Sequence, residues 1–342
     1  MKAIVFERHG GPEVLELREV PEPAVGHGEI LVRVRACALN HLDLWVRKGL
    51  PGVEIPLPHI PGSDIAGEVA KVGPGVTRVK EGQKVVLDPG VSCGACDACQ
   101  AGRNNLCRRY TLLGYLIDGG CAEYVKAPEV NAHPKPARLS FEEAAAVPLV
   151  FLTAWHMLVT RARLRPGESV LVLGAGSGVG SAAIQIARLF GCRVFATAGT
   201  DAKLQKAKEL GAEELINHAK QDIAEEVKKR TNRRGVDVVF EHVGQATWEK
   251  SLGSLAPAGR LVTCGATTGV EARFDLRQLF VRQWTILGSF MGTRSELQAV
   301  LGLVERGKLN SVVDRIFPLA EARRAHEYVE NREQFGKVVL TV

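Results

Sequence analysis

The sequence predicts a two-domain α/β protein in which a doubly wound parallel sheet follows a compact, barrel-like β domain. Three observations point there. The chain has 342 residues, more than one hydrophobic core usually organises. Its first third reads as short apolar strands separated by Pro/Gly punctuation. From Ser169 onward, short apolar runs alternate with amphipathic helices, and parallel strands need such crossover helices on both faces of their sheet.

In the β-rich part, Lys2–Phe6 is a short apolar run. Ile30, Val32 and Val34 alternate with Leu31, Arg33 and Arg35, as in a half-buried strand. Gly67–Val72 and Lys84–Leu87 follow the same style, with Pro51-Gly52 and Gly73-Pro74-Gly75 as turns. The texture changes near Ser140. Strands are predicted at Ser169–Leu173, Arg193–Ala198, Leu215-Ile216, Val236–Glu241, Gly259–Cys264 and Thr285–Phe290. The helices between them are Gly178–Leu189, Ala202–Leu210, Asp222–Arg230 and Thr247–Leu255, the first with Gly180, Ala183, Ile184 and Ala187 on one face. A helix over Ser295–Gly307 and a strand over Lys337–Val342 close the chain, and that strand is expected to return to the β domain. The expected division is 1–145 with 295–342 for the β domain, carrying a lobe at 92–108, and 146–294 for the parallel sheet. Thr285–Phe290 falls at a sheet edge, where it can pair with its copy in a second subunit.

Bulk properties exclude several classes. The charge of +6 comes from 44 basic and 38 acidic residues that are scattered along the chain. The short knots Lys228-Lys229-Arg230 and Arg233-Arg234 read as a solvated helix end in preference to a nucleic-acid patch. No run approaches the ~18 apolar residues of a membrane helix, and Met1–Glu7 does not read as a signal peptide. The expectation is a soluble, cytoplasmic protein with neither nucleic acid nor membrane as partner. Cys37, Cys121, Cys192 and Cys264 lie apart among apolar residues and read as buried thiols.

Two local patterns carry chemistry. In the first, Gly174, Gly176, Gly178 and Gly180, with Ser177 and Val179 among them, stand between a predicted strand and a predicted helix. Glycine lets the backbone turn tightly against a pyrophosphate, and the helix N-terminus offers free N–H groups and partial positive charge. The next strand ends Thr197-Ala198-Gly199-Thr200, without the carboxylate that an NAD site usually places on the ribose hydroxyls. Thr200 and Lys203 can receive a 2′-phosphate, so NADP(H) is favoured over NAD(H). The ordinary alternative is an exposed helix lysine at Lys203 with Asp201 as an N-cap.

The second pattern is Cys93-x2-Cys96-x2-Cys99-x7-Cys107. Four thiolates this close can satisfy one tetrahedral Zn²⁺ and leave no open position, which makes a structural site. The residues between them are polar and flexible, so the metal would order the loop. An iron–sulfur cluster usually shows x3 and a following proline, where this chain has x7 and Arg108. A redox disulfide pair is the remaining alternative.

Together these features resemble the zinc-type medium-chain dehydrogenase/reductase superfamily of alcohol dehydrogenases and quinone oxidoreductases. The resemblance runs nearly end to end, through Gly62-Ser-Asp-Ile-Ala-Gly67-Glu-Val, the cysteine lobe, the Gly174–Gly180 turn and Gly336-Lys-Val-Val-Leu340. It implies a GroES-like β-barrel catalytic domain, a Rossmann coenzyme domain, an active-site cleft between them, and a homodimer or homotetramer. Alcohol dehydrogenases of this family usually hold a second, catalytic zinc. At its ligand positions the resemblance places Asn40, Ser63 and, at or near the third, Leu149. These side chains do not make a tight Zn²⁺ site. No catalytic zinc is expected, with Asp64, His41 or His59 as a residual alternative for metal binding.

Alcohol oxidation relies on that Lewis acid, whereas a quinone or an α,β-unsaturated carbonyl is already polarised and needs only hydrogen-bond donors. The resemblance places Asn40, Ser63 and Asp64 at the catalytic position. By their local sequence, Asn40 can instead cap a helix starting near His41, and Ser63 can serve a turn. Tyr115, His41 and Asp43 are candidates for relaying a proton, and His242 reads as a loop residue near the nicotinamide side. The expectation is an NADPH-dependent quinone or enone reductase acting on a small molecule. An alcohol/aldehyde dehydrogenase is the alternative, and a non-catalytic nucleotide-binding protein a second one.

Overall fold

The computed structural model describes all 342 residues. Two compact units emerge: Met1–Leu149 with Thr293–Val342, and Val150–Gly292.

In the first unit, Glu29–Ala38 is the central strand. It pairs antiparallel with Asp64–Val72, with Tyr124–Pro128 and with the last strand, Lys337–Thr341. Val313–Pro318 continues the sheet beside Lys337–Thr341; on the other side Lys84–Leu87 and Ala132–Pro134 follow Asp64–Val72. Two register slips, at Leu31/Val32 and Val34/Ala36, bend the central pair and let the sheet curl. Ile30, Val32, Val34 and Cys37 then share one core with Ile65, Val85, Leu87 and Leu340.

The second unit holds six parallel strands in the order Glu214–Asn217, Arg193–Ala198, Ser169–Val172, Val236–Glu241, Leu255–Thr263, Thr285–Gly288. Numbered along the chain, this is 3-2-1-4-5-6, with the direction of winding reversing between the first strand and the fourth. Val170, Leu171, Val172, Val238, Val239 and Phe240 are all fully buried, as a sheet covered on both faces requires.

Three local expectations change. The helix after Val236–Glu241 runs only Trp248–Gly253, because Leu255 already pairs with Val236 and starts the next strand. A helix at Leu276–Arg282 was not expected. Its Leu276, Phe280 and Val281 are exposed, so it has no buried stripe for periodicity to reveal. The 21 residues Phe141–Arg161 form an apolar, mostly helical stretch, with a break at Ala146-Val147 and a π-helical segment from His156. Its length and composition suit a membrane span, contrary to the expected lack of any such run. With 72% of its apolar window buried inside the protein, it is disposed as a core helix.

Candidate functional site

The glycine-rich turn follows the first strand of the parallel sheet, beside the point where the winding reverses. Gly174 takes φ 58°, and its carbonyl accepts both the Ser177 N–H and the Ser177 hydroxyl at 2.9 Å. Ser177 Oγ accepts the Gly180 N–H at 2.9 Å and so caps the helix Gly178–Leu189. A Cβ at Gly180 would lie 2.4 Å from the Gly174 carbonyl oxygen, so only glycine permits this closure. The N–H groups of Gly178 and Val179, in the first turn, have no intrahelical acceptor and remain for an anion. Gly176 completes the loop.

Residues outside the motif hold it. The Gly174 N–H donates to Thr197 Oγ1 at 3.2 Å, and the Ala175 N–H to the Thr197 carbonyl at 2.8 Å. His242 Nε2 lies 2.8 Å from the Leu173 carbonyl and 3.5 Å from Ser177 Oγ. Burial pushes the His242 pKa down, so a neutral ring donates to Leu173. His242 therefore braces the turn, where the sequence suggested an ordinary loop residue. Beside it, the fully buried Glu241 carboxylate accepts from the Val243 and Gly244 N–H groups and from the Thr247 and Ser251 hydroxyls. Sequence reasoning missed this hub; its signal was a glutamate at the end of an otherwise apolar strand.

At the end of the second strand, Thr200 Oγ1 accepts the Lys203 N–H at 3.3 Å as an N-cap. Asp201 is drawn to Asn217 Nδ2 (2.5 Å) and Lys220 Nζ (2.7 Å), and the Lys220 partner lowers its pKa. Gly199 stands at the strand end, where a Cβ would meet His218 Nε2 at 3.3 Å. No carboxylate occupies that position.

In the first unit, the thiol sulfurs of Cys93, Cys96, Cys99 and Cys107 all lie within 4.8 Å of one another. Cys93 and Cys99 are 3.9 Å apart, Cys96 and Cys99 3.6 Å. Four sulfurs at ~2.3 Å from one ion would stand roughly 3.8 Å apart, so the spacing of the set fits a single tetrahedral ion and is too tight for a multi-iron cluster. Backbone N–H groups point at the sulfurs: Cys96 to Cys93, and Cys93 and Arg109 to Cys107, each at 3.4 Å. The N–H groups of Ala95 and Cys96 pull the Cys93 pKa down to about 5, toward the thiolate a metal needs. Burial raises that of Cys99.

The third constellation gathers Asn40 and Asp64. Lys337 Nζ donates to Asn40 Oδ1 at 2.6 Å and to Asp64 Oδ2 at 2.8 Å. Asn40 Nδ2 donates to Asp64 Oδ2 at 3.0 Å and to the Ala38 carbonyl at 3.4 Å. The other Asp64 oxygen accepts the Leu149 N–H at 2.8 Å. Asp64 and Lys337 are both buried. Asn40 also precedes the helix His41–Lys48, where the Asp43 carboxylate accepts its N–H at 2.7 Å and that of Gly62 at 2.9 Å. Burial raises the Asp43 pKa to about 6 against those bonds.

Two of the candidate side chains already have partners here. The Asn40 amide is not a free donor, because both its hydrogens already have acceptors. Asp64 is not a spare metal ligand, because both its oxygens are occupied and an ammonium neutralises it. Ser63 is different: it is fully buried, and its Oγ has no hydrogen-bond partner. His59 sits against Phe6 and Asp118, apart from this network, and Tyr115 packs on the barrel core. Lys337 was the missed residue, although Gly336-Lys337 belongs to a motif already singled out.

The comparisons with known proteins assign the family and the fold. Residues 26–137 match the alcohol dehydrogenase GroES-like domain, and residues 178–306 match the zinc-binding dehydrogenase family. An alcohol dehydrogenase of Geobacillus stearothermophilus is 36% identical, with 100% of both chains covered. A quinone oxidoreductase of Rattus norvegicus is 32% identical over 99% of this chain and 97% of its own. A solved structure described as an NAD-dependent alcohol dehydrogenase superposes with a TM-score of 0.97 at 50% identity, over 100% of both chains. The first unit is thus the GroES-like domain and the second the Rossmann domain.

Proposed function

The chain belongs to the zinc-type medium-chain dehydrogenase/reductase superfamily, and from that premise we propose that this oxidoreductase transfers hydride from NADPH to a quinone or an α,β-unsaturated carbonyl. One observation carries the reading: the buried Lys337–Asp64–Asn40 network. A catalytic Zn²⁺ needs thiolate, imidazole or unpaired carboxylate. Here the Asp64 carboxylate is held by a lysine, Asp43 is taken up by the Asn40 and Gly62 N–H groups, and the neighbours are an amide and a hydroxyl.

Without a Lewis acid worth several kcal/mol, simple alcohols make poor substrates. A conjugated carbonyl accepts hydride at its β-carbon while the electron pair moves to oxygen as an enolate or hydroquinone anion, and one good donor stabilises that charge. Ser63, next in sequence to Asp64, has an uncommitted hydroxyl for this role. The reduced nicotinamide, when bound, supplies the hydride. The chain's own part is the Gly174–Gly180 turn, which receives the diphosphate, and Thr200 with Lys203, which receive the 2′-phosphate. Gly199 and the neutralised Asp201 leave no carboxylate to repel that phosphate. The Cys93–Cys107 lobe holds one structural zinc. Four reduced thiols suit a reducing compartment, the cytoplasm.

Alcohol dehydrogenation is the second reading, favoured by the full-length likeness to alcohol dehydrogenases. A panel separates the two: NADPH oxidation with quinones and enones, and NAD(P)⁺ reduction with alcohols before and after chelation. The proposal predicts turnover in the first arm. Good turnover of primary alcohols with quinones and enones inert contradicts it. The protein assembles at least as a homodimer, because the edge strand Thr285–Gly288 and the exposed Leu276, Phe280 and Phe290 offer a self-complementary face. Light scattering at the monomer mass would contradict that.

A further inference from the structure

We propose that the Rossmann unit carries a second anion site, on the sheet edge opposite the coenzyme turn, for the oligophosphate of a nucleoside di- or triphosphate. A cavity of about 630 Å³ lies there, within the size range of small-molecule sites. Its wall includes Gly235, Leu255 and Trp284, which stand at the beginnings of three neighbouring parallel strands. The glycine-rich turn follows the end of a strand in the same sheet. A six-residue strand separates the two edges by ~20 Å, so one bound dinucleotide diphosphate does not serve both.

The charge is unbalanced. Lys228, Arg233, Arg234, Arg273 and Arg282 line the cavity, against Glu249 and Asp275, a difference of 5 − 2 = +3. Asp275 is already held by Arg277 at 2.8 Å. Arg234 pairs with Asp237 at 2.5 Å, and Lys228 with Glu225 at 3.0 Å. Arg233, Arg273 and Arg282 form no ion pair, so three guanidinium groups converge on one concavity with Glu249 as the sole uncommitted carboxylate. Guanidinium matches phosphate oxygens two at a time, which makes this grouping suited to an oligophosphate. Asn232 and Arg233 adopt φ 49° and 63°, conformations that bulky residues rarely take, and the turn they form carries Arg233 to the rim.

The remaining wall is apolar apart from Gln278. Trp284 donates Nε1–H to the Ala256 carbonyl at 3.0 Å, which fixes its ring, and Leu252, Leu255 and Phe274 stand around it. A ring beside a phosphate site favours a nucleotide over an inorganic chain, since a base gains stacking there. Of the basic knots, Lys228, Arg233 and Arg234 thus contribute to a small-molecule concavity as well as to a solvated helix end.

The test is calorimetry on the whole protein saturated with the nicotinamide coenzyme it uses, so that the first site is filled. The titrants are tripolyphosphate and ATP. Both are expected to bind, ATP more tightly. The double variant Arg273→Ala/Arg282→Ala should weaken both at least tenfold, with the coenzyme KM unchanged, while Arg8→Ala, an exposed arginine of the other unit, leaves binding intact. Binding of tripolyphosphate as tight as ATP would assign the site to an inorganic oligophosphate and overturn the nucleotide. Absence of heat, an equal loss with Arg8→Ala, insensitivity to the double variant, or tighter binding of duplex DNA than of ATP would overturn the site. The coenzyme titration that precedes each run reports separately on the proposed function.

Discussion

The coenzyme turn and the Asn40–Asp64–Lys337 network are both polar arrangements at strand ends, yet they are specified in opposite ways. The turn is written in the backbone: glycines within seven residues, a serine cap, and a helix whose first N–H groups are free. The network is written in side chains that meet only through tertiary structure, with Lys337 and Asn40 297 residues apart. A backbone device tolerates no added atom. A charge network tolerates a change in shape but not the loss of one partner.

The largest expected effect on coenzyme binding follows at Gly180. Gly180→Val places carbon 2.4 Å from the Gly174 carbonyl oxygen, so the turn must open. Coenzyme affinity should fall by ~100-fold or more, about 2.7 kcal/mol, in a calorimetric titration. Affinity within threefold of the parent would break the view that the closed turn is the diphosphate site.

Lys337→Met comes next. It strands the Asp64 carboxylate in the barrel and should cost about 3–5 kcal/mol in urea unfolding, as loss of one partner of a buried pair does. Adding Asp64→Asn should recover most of that loss. Equal destabilisation in the single and double variants would mean that packing, not charge pairing, holds the site.

The pH dependence sharpens the contrast further. Burial raises Asp88 to about 6, with Arg294 Nε 3.8 Å away as its nearest cation. Below the unfolded value near 3.8 the group is neutral in both states and costs nothing. As pH climbs to 6, the folded state retains a proton that the unfolded chain has released, and stability is lost. Asp88→Asn should remove this loss, so the variant gains on the parent by about 1–3 kcal/mol between pH 4 and 7. A constant difference across that range would contradict the assignment.

The smallest effect is expected at Gly199. Gly199→Asp restores a carboxylate at the ribose position against the His218 ring, and the ratio of kcat/KM for NADPH over NADH should fall about tenfold. An unchanged ratio would remove Gly199 from coenzyme choice.

The same contrast explains what the sequence disclosed. The parallel sheet was legible because Val170–Val172 and Val238–Phe240 are buried on both faces and bounded by amphipathic helices. The cysteine lobe was legible because its four cysteines lie within fifteen residues. The Leu276–Arg282 helix was not, since its apolar residues face outward. Lys337 looked like one more basic residue until the last strand returned beside Glu29–Ala38, with Val339 opposite Ala38. His242 gave no sign of bracing Gly174, because their contact exists only where the first and fourth strands lie side by side. Asn40 carried two readings, a catalytic donor and a helix cap; it precedes the helix His41–Lys48, and its amide is bonded to Asp64 and Ala38.

We propose that this chain keeps a structural metal lobe and carries a lysine-paired carboxylate in place of a chemical metal site. Zinc stoichiometry of the freshly purified parent and of Cys107→Ser tests it most directly. The account predicts about one equivalent per chain in the parent and close to none in the variant. About two equivalents in the parent, with one surviving in Cys107→Ser, would contradict it.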